Sequence, residues 1–335
     1  MSFRSKIKDI LRKILARYKF DIIPSSYVYD WQSGDFVQEP REIYLPDDAR
    51  NTLTPDNPAL LDLQKRYQEL NYPCCEALLW SEGRVKAEDI LYFRGHNAYV
   101  FQEGRFNRNL FGYLLAYYYI KSIDRLDLLE LLKEDNAFGP IIFDIDGKQI
   151  SRDLIDSILE IYFLDNALGI KSWKELTVLD IGAGYGRLAH RMGEALPNLK
   201  NYYCTDAIAV SSFIADYYLG YRGMKDRAGV LHLDKIKEDL LKGSVDLAVN
   251  IHSFSECTPR AIEWWLDLLA EKEVPNLMIV PNSGKKLQTN DGHDFLPLLE
   301  NYGYQLAAFE PKYSDPVVQK YALQPDYFHL YKLRS

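Results

Sequence analysis

The chain has 335 residues, 47 % hydrophobic and 26 % charged, with a net charge of −8. That composition belongs to a packed globular protein long enough for two ordinary domains, and not to a disordered chain. The acidic balance argues against a nucleic-acid partner, which would demand a basic face. No apolar run is long enough to span a membrane as a helix.

Four cysteines, Cys74, Cys75, Cys204 and Cys257, form no CxxC pair and no disulfide or zinc framework. A cytoplasmic location is expected, with the inner membrane face as a peripheral alternative.

Residues 3–19 come first in chain order. Arg4, Lys6, Lys8, Arg12, Lys13, Arg17 and Lys19 stand against one acid, Asp9, and Phe3, Ile7, Ile10, Leu11, Ile14, Leu15 and Tyr18 recur at helical spacing. This is a basic amphipathic helix. It either docks on an anionic membrane surface or packs on the body of the protein or on a second subunit of a homodimer. Residues 21–60 hold Pro24, Pro40, Pro46, Pro55 and Pro58 and read as loop. Helices are expected over 59–70, 87–92 and 106–133, then a break at 136–140 and a strand over 141–145 with an Asp146-Gly147 turn. Ser151 and Asp153 open a helix over 152–168, and Gly169 closes it.

From residue 177 strands and helices alternate. Strands are expected at 177–181, 201–205, 229–233, 245–251 and 276–280. Each is followed by a helix, the last three over 235–241, 259–271 and 294–301. Two closing strands, 304–309 and 327–333, follow with no helix between them. Five β-α units make a parallel doubly wound sheet, and the closing pair is antiparallel. The expected fold is α/β: a seven-stranded Rossmann-like sheet over residues 151–335. A mainly helical extension over residues 1–150 caps the acceptor pocket or builds a dimer.

The chemistry concentrates where the first strand runs into Asp180-Ile-Gly182-Ala183-Gly184-Tyr185-Gly186. Glycines there let the chain turn tightly and let a ligand approach the backbone. The helix that follows offers its N-terminal N–H groups to an anion. The GxGxG spacing, with an acid two residues ahead, departs from the GxGxxG of dinucleotide sites. It resembles the first motif of S-adenosylmethionine (SAM) methyltransferases. Asp206 ends the second strand, followed by Ala207, where an acid accepts hydrogen bonds from ribose hydroxyls; it also suits a helix N-cap. Asp234 after the third strand either reaches an adenine edge or caps a helix. Asn250-Ile251-His252-Ser253-Phe-Ser-Glu256 ends the fourth strand. If that strand lies beside the first, His252 and Glu256 face the transferable methyl as a general base and its orienting partner.

Asp180 to Ala189, Asn250 to Glu256, and Asn290-Asp-Gly-His-Asp-Phe-Leu-Pro-Leu-Leu-Glu300 with Gly303-Tyr304 together resemble the bacterial sugar O-methyltransferase family. Upstream, Glu134 to Gly139 and Ile150 to Leu154 are similar to its N-terminal extension. Cys257 departs from the larger apolar residue expected there. The resemblance implies a class I SAM-dependent methyltransferase acting on a sugar or glycan hydroxyl, in polysaccharide or glycoconjugate biosynthesis. The candidate cofactor residues are Asp180, Gly182, Ala183, Gly184, Tyr185, Gly186, Asp206, Ala207, Asp234, Asn250 and Ile251. The catalytic candidates are His252, Glu256 and His293. The loop 282–291 is a candidate lid. Asp291, His293 and Asp294 lack a metal-loop signature, so no metal is expected.

Overall fold

The computed structural model describes residues 3–18, 20, 22, 43–76, 79–80, 85–95 and 110–334. Among the described residues nine strands fall in two sheets. β1 (Ile142–Ile145) and β2 (Lys148–Ser151) form an antiparallel hairpin. Asp146 and Gly147, at φ 52° and 73°, make its two-residue turn.

β3 (Leu176–Ile181), β4 (Leu199–Thr205), β5 (Ala228–Val230), β6 (Leu247–Ile251), β7 (Asn276–Val280), β8 (Tyr304–Pro311) and β9 (Tyr327–Leu333) form the main sheet, in the order β5-β4-β3-β6-β7-β9-β8. β3 to β7 run parallel, and β9 is antiparallel to both β7 and β8. This is the doubly wound seven-stranded sheet expected from the sequence. β3 and β7 are buried along their whole length, as the near-continuous apolar run Leu277–Val280 requires of β7 when helices cover both faces; β3 also buries Thr177 and Asp180.

The order reverses between β3 and β6. In such sheets a ligand crevice opens at the carboxyl ends of the strands flanking the reversal. β3 leads into the helix Arg187–Ala195, β4 into Ala209–Tyr221 and β6 into Pro259–Glu271. Thr258 caps the last of these, its hydroxyl accepting from the Ala261 N–H at 3.2 Å, with Pro259 in the first turn.

The helix Arg152–Leu168 crosses under the sheet. Ser151 accepts from the Leu154 N–H at 3.1 Å, and Gly169 ends the helix at φ 69°. It shares one core with Tyr113–Ile120, Phe143 and Ile150 ahead of it and with Met278 and Leu330 behind it. Ion pairs also run from residues before 150 into the sheet region. Glu134 holds both Arg94 (2.5 Å) and Arg191 (3.0 Å), all three side chains buried. Asp135 pairs with Arg222. Burial would raise the Glu134 carboxyl, but the two guanidiniums outweigh it and hold it well below the usual range.

Several expectations are corrected. The helix expected over 106–133 is two helices, Leu110–Ile123 and Leu128–Leu131; residues 106–109 lie outside the described residues. Asp124 ends the first and starts the second, its carboxylate accepting from the Leu128 and Leu129 N–H groups at 2.8 and 2.9 Å. The closing strands have a helix between them, Pro316–Tyr321. Asp315 caps it by accepting from the Val317 N–H at 2.9 Å. The third parallel strand stops at Val230. The loop expected over 21–60 contains the short helix Ala49–Thr52, while the helix Pro58–Gln68 stands where one was expected over 59–70; residues 21 and 23–42 lie outside the described residues. No described helix is long and apolar enough to cross a membrane.

Candidate active site

At the end of β3 the chain turns through Gly182, Gly184 and Gly186, all at positive φ (75°, 57° and 83°). A side chain at Gly182 would put its Cβ 2.3 Å from the Ser253 hydroxyl, so the turns after β3 and β6 touch where only glycine fits. The Gly182 and Ala183 N–H groups donate to the Thr205 carbonyl at 2.9 and 3.2 Å, tying the turn to β4. Asp206 completes the brace. Its carboxylate accepts from the Gly184 N–H at 3.2 Å and the Ile208 N–H at 2.9 Å.

A cavity of about 430 Å³ opens over this turn, within the range of small-molecule sites. Asp180, Gly182, Ala183, Gly184, Tyr185, Asp206, Ala207 and Ile251 line one part of it, and His252, Glu256, Asn282, Asn290, Gln324, Trp80, Arg152 and Asp156 line the other. Asp180 accepts from the Tyr202 hydroxyl at 2.8 Å. Burial pushes the Asp180 carboxyl up to about 7, against the pull of Tyr202 and Arg187. Asp206 is likewise pushed up to about 7 by burial, despite its two backbone donors.

Four candidates fall outside this wall. Gly186 packs on Leu219 and Cys204, serving the turn and not the cavity. Asn250 points inward and is fully buried. Its amide donates to the Ile181 carbonyl and accepts from the Phe254 N–H, each at 2.9 Å, so it staples β6 to β3. Asp234 is ion-paired with Arg66 at 2.5 Å and does not line the cavity. His293 is largely exposed beside Asp291, because the turn Thr289–His293 bends it outward.

The loop 282–291 is pinned at both ends. The Ser255 hydroxyl accepts from the Asn282 N–H at 3.0 Å, and the Ser255 carbonyl from the Asn290 N–H at 2.7 Å. In this structure it forms wall.

β6 does lie beside β3, and His252 faces the cavity at φ 67°, a strained backbone for a non-glycine residue of the kind found at functional sites. Its partner differs from the expected one. Glu256 accepts from the Trp80 indole N–H at 2.6 Å and from the Asn282 amide at 3.4 Å. The His252 Nε2 instead stands 3.8 Å from the Asp326 carboxylate, ahead of β9. Asp326 lies 3.7 Å from the Lys312 ammonium, which sits 2.5 Å from Asp156, and Asp156 lies 3.2 Å from the Arg152 guanidinium. Burial would raise Asp156, but Lys312 and Arg152 outweigh it and hold its carboxyl well below the usual range. Burial pushes the His252 imidazolium down, with Asp326 opposing, so the ring is neutral near pH 7.

Sequence reading missed Asp326, Lys312, Arg152, Asp156 and Trp80. For the helix a signal existed. Arg152, Asp153, Asp156, Ser157 and Glu160 form a polar stripe on a helix that is otherwise apolar through Leu164. Every member is buried and partnered: Glu160 pairs with both terminal nitrogens of Arg187 at 2.9 Å, and Asp153 accepts from the Tyr185 hydroxyl. Nothing near Asp326 or Trp80 in sequence marks them.

No family model matches the chain, and no curated protein matches it. Among solved structures it is similar to a SAM-dependent methyltransferase from Aquifex aeolicus, at 21 % identity over 52 % of this chain and 92 % of that one, with a TM-score of 0.39. It is also similar to magnesium protoporphyrin IX methyltransferase from Synechocystis PCC 6803 with bound SAM, at 14 % identity over 55 % and 83 %, with a TM-score of 0.38. A third is the mitomycin 7-O-methyltransferase MmcR, at 18 % identity over 55 % and 57 %, with a TM-score of 0.37. The mixed seven-stranded sheet with helices on both faces is the class I methyltransferase fold, as its strand order establishes.

Proposed function

We propose that this chain transfers a methyl group from SAM to a hydroxyl of a sugar or glycan, in polysaccharide or glycoconjugate biosynthesis. The observation that carries the reading is the continuous cavity joining the glycine turn and Asp206 to His252. The residues present fit the cofactor. Gly182 and Gly184 leave the turn bare for its amino-acid end, and Asp206 stands on the wall where a ribose diol needs an acceptor. Bound there, SAM supplies an electrophilic methyl on a sulfonium. The sugar is inferred from the sequence resemblance. Trp80, Asn282, Asn290 and Gln324 support it, offering an indole face and amide groups suited to a polyhydroxylated ring.

The chain must hold the acceptor oxygen in line and take up its proton. Positioning falls to the wall residues and supplies several kcal/mol. Proton uptake falls to His252, neutral near pH 7, and a base of this kind adds about 10²- to 10⁴-fold. The imidazolium so formed needs a negative partner, which Asp326 provides, itself held by Lys312. Asp326 is therefore a positioning residue.

The test is calorimetric titration with SAM, S-adenosylhomocysteine and NADH, followed by a screen of glycans for label uptake from methyl-labelled SAM. Micromolar SAM binding that Asp206→Ala weakens about a hundredfold, with label on a glycan oxygen, is expected. Well-folded protein that binds NADH and not SAM would overturn the reading.

A further inference from the structure

On the helix Phe3–Ala16, three apolar side chains of the described stretch 10–16 stand open to solvent. Ile10, Leu11 and Ile14 are 58, 46 and 49 % exposed, and Tyr18 and Phe20 beyond its end are 71 and 65 % exposed. At helical spacing Ile10, Leu11 and Ile14 share one face, and Arg12 lies on the opposite one. Arg12 is fastened there: its guanidinium donates to both Asp315 carboxylate oxygens, at 2.9 and 2.7 Å, with both side chains largely buried. The polar back of the helix is thus tied to the body, and the apolar stripe is turned away from it. Exposed Lys13 and Arg17 border one edge of the stripe. Residues 3–19 carry seven basic side chains and one acid, in a chain whose total charge is −8.

We propose that this face docks on an anionic lipid bilayer. A narrow apolar stripe with a cationic edge is what an interfacial helix needs: the stripe sinks to the acyl boundary and the cations meet lipid phosphates. A second copy of the chain fits less well, because so few side chains fall well short of the ~1,200 Å² that a stable interface buries.

The tether also fixes which way the protein faces. β8 runs parallel to β7, since β9 is antiparallel to both. Asp315 follows β8, so Arg12 is held at the sheet end where the β strands next to the cavity finish. Docking through this helix turns the cavity end of the sheet toward the bilayer. If the proposed reaction holds, the acceptor is then a glycan carried on a lipid, a consequence that rests on that reading while the docking itself does not.

The experiment is sedimentation of the full chain with vesicles of phosphatidylcholine alone and of phosphatidylcholine mixed with phosphatidylglycerol, at low and high salt. The paired variant Leu11→Glu/Ile14→Glu changes only exposed positions, and circular dichroism checks its fold. SAM binding is measured on the same preparations. Partition onto anionic vesicles about tenfold above neutral ones is expected, falling about tenfold in high salt and in the paired variant.

No binding to anionic vesicles, equal binding to both kinds, or unchanged binding by the paired variant overturns the proposal. So does a dimer in solution that the paired variant dissolves, which would assign the face to a second copy. SAM binding without vesicle binding removes the docking and leaves the reaction; vesicle binding without SAM binding does the reverse.

Discussion

Around the glycine turn the cavity wall is backbone, supplied by one stretch from Asp180 to Tyr185 and braced by Asp206 from the next strand. Across the cavity, beside His252, the wall is side chains. They come from Trp80, the helix Arg152–Leu168, the loop after β7 and Gln324, and a buried alternation of charges stands behind them. A backbone wall can be kept by a few glycines and tolerates change around it. A side-chain wall of paired charges depends on every member, because an unpartnered buried charge costs far more than the pair contributes. The first half suits a cofactor common to many reactions, and the second suits one acceptor.

That contrast can be broken most forcefully at Lys312. Lys312→Met strips Asp326 of its cation and leaves Asp156 with Arg152 alone, and a loss of about 3–5 kcal/mol in urea unfolding is expected. A loss below about 1 kcal/mol would mean that the charge chain is not under tension. Asp206→Ala acts on the other half. It should weaken SAM binding about a hundredfold by calorimetry, the worth of two charge-assisted hydrogen bonds, and lower stability by about 1–3 kcal/mol, because the Gly184 and Ile208 N–H groups lose their acceptor.

Asp326→Asn sharpens the assignment of His252. The imidazole should titrate about one unit lower by nuclear magnetic resonance, with kcat down about tenfold at unchanged SAM affinity. Glu256→Gln should leave the imidazole nearly unmoved, and the opposite pattern would restore Glu256 as the partner.

The pH dependence follows from Asp206. Its carboxyl is raised to about 7 in the folded protein, and only its ionised form offers both oxygens as strong acceptors to ribose hydroxyls. SAM affinity should therefore fall below pH 7, by up to about tenfold per unit, with a proton released on binding. Calorimetry in buffers of different ionisation heat reads that proton directly. The smallest effect is expected at His293, exposed and off the wall: His293→Ala should leave binding and turnover within error.

The same contrast explains what was legible. Asp180, Gly182, Gly184 and Asp206 lie within one β-α-β stretch, where turn chemistry and strand ends can be read residue by residue. The sheet was legible for a similar reason, since apolar runs such as 276–280 carry the signal within themselves. Asp326 meets His252 only because the last strand inserts between β7 and β8, a juxtaposition no local pattern encodes. Asn250 and His293 show the converse error. Each stands at a strand end or loop where a functional residue belongs, but backbone hydrogen bonds turn the first inward and the second out. The short helix Pro316–Tyr321 was readable from Asp315-Pro316, an N-cap followed by proline in the first turn.

The ion pairs across residue 150 bear on whether this chain can be divided. Glu134 neutralises Arg191, Asp135 neutralises Arg222, and Trp80 satisfies Glu256. Swapping the front of the molecule for that of another chain would strand these partners inside the sheet region. The front and back segments therefore satisfy each other's buried charges, and neither should be exchangeable alone.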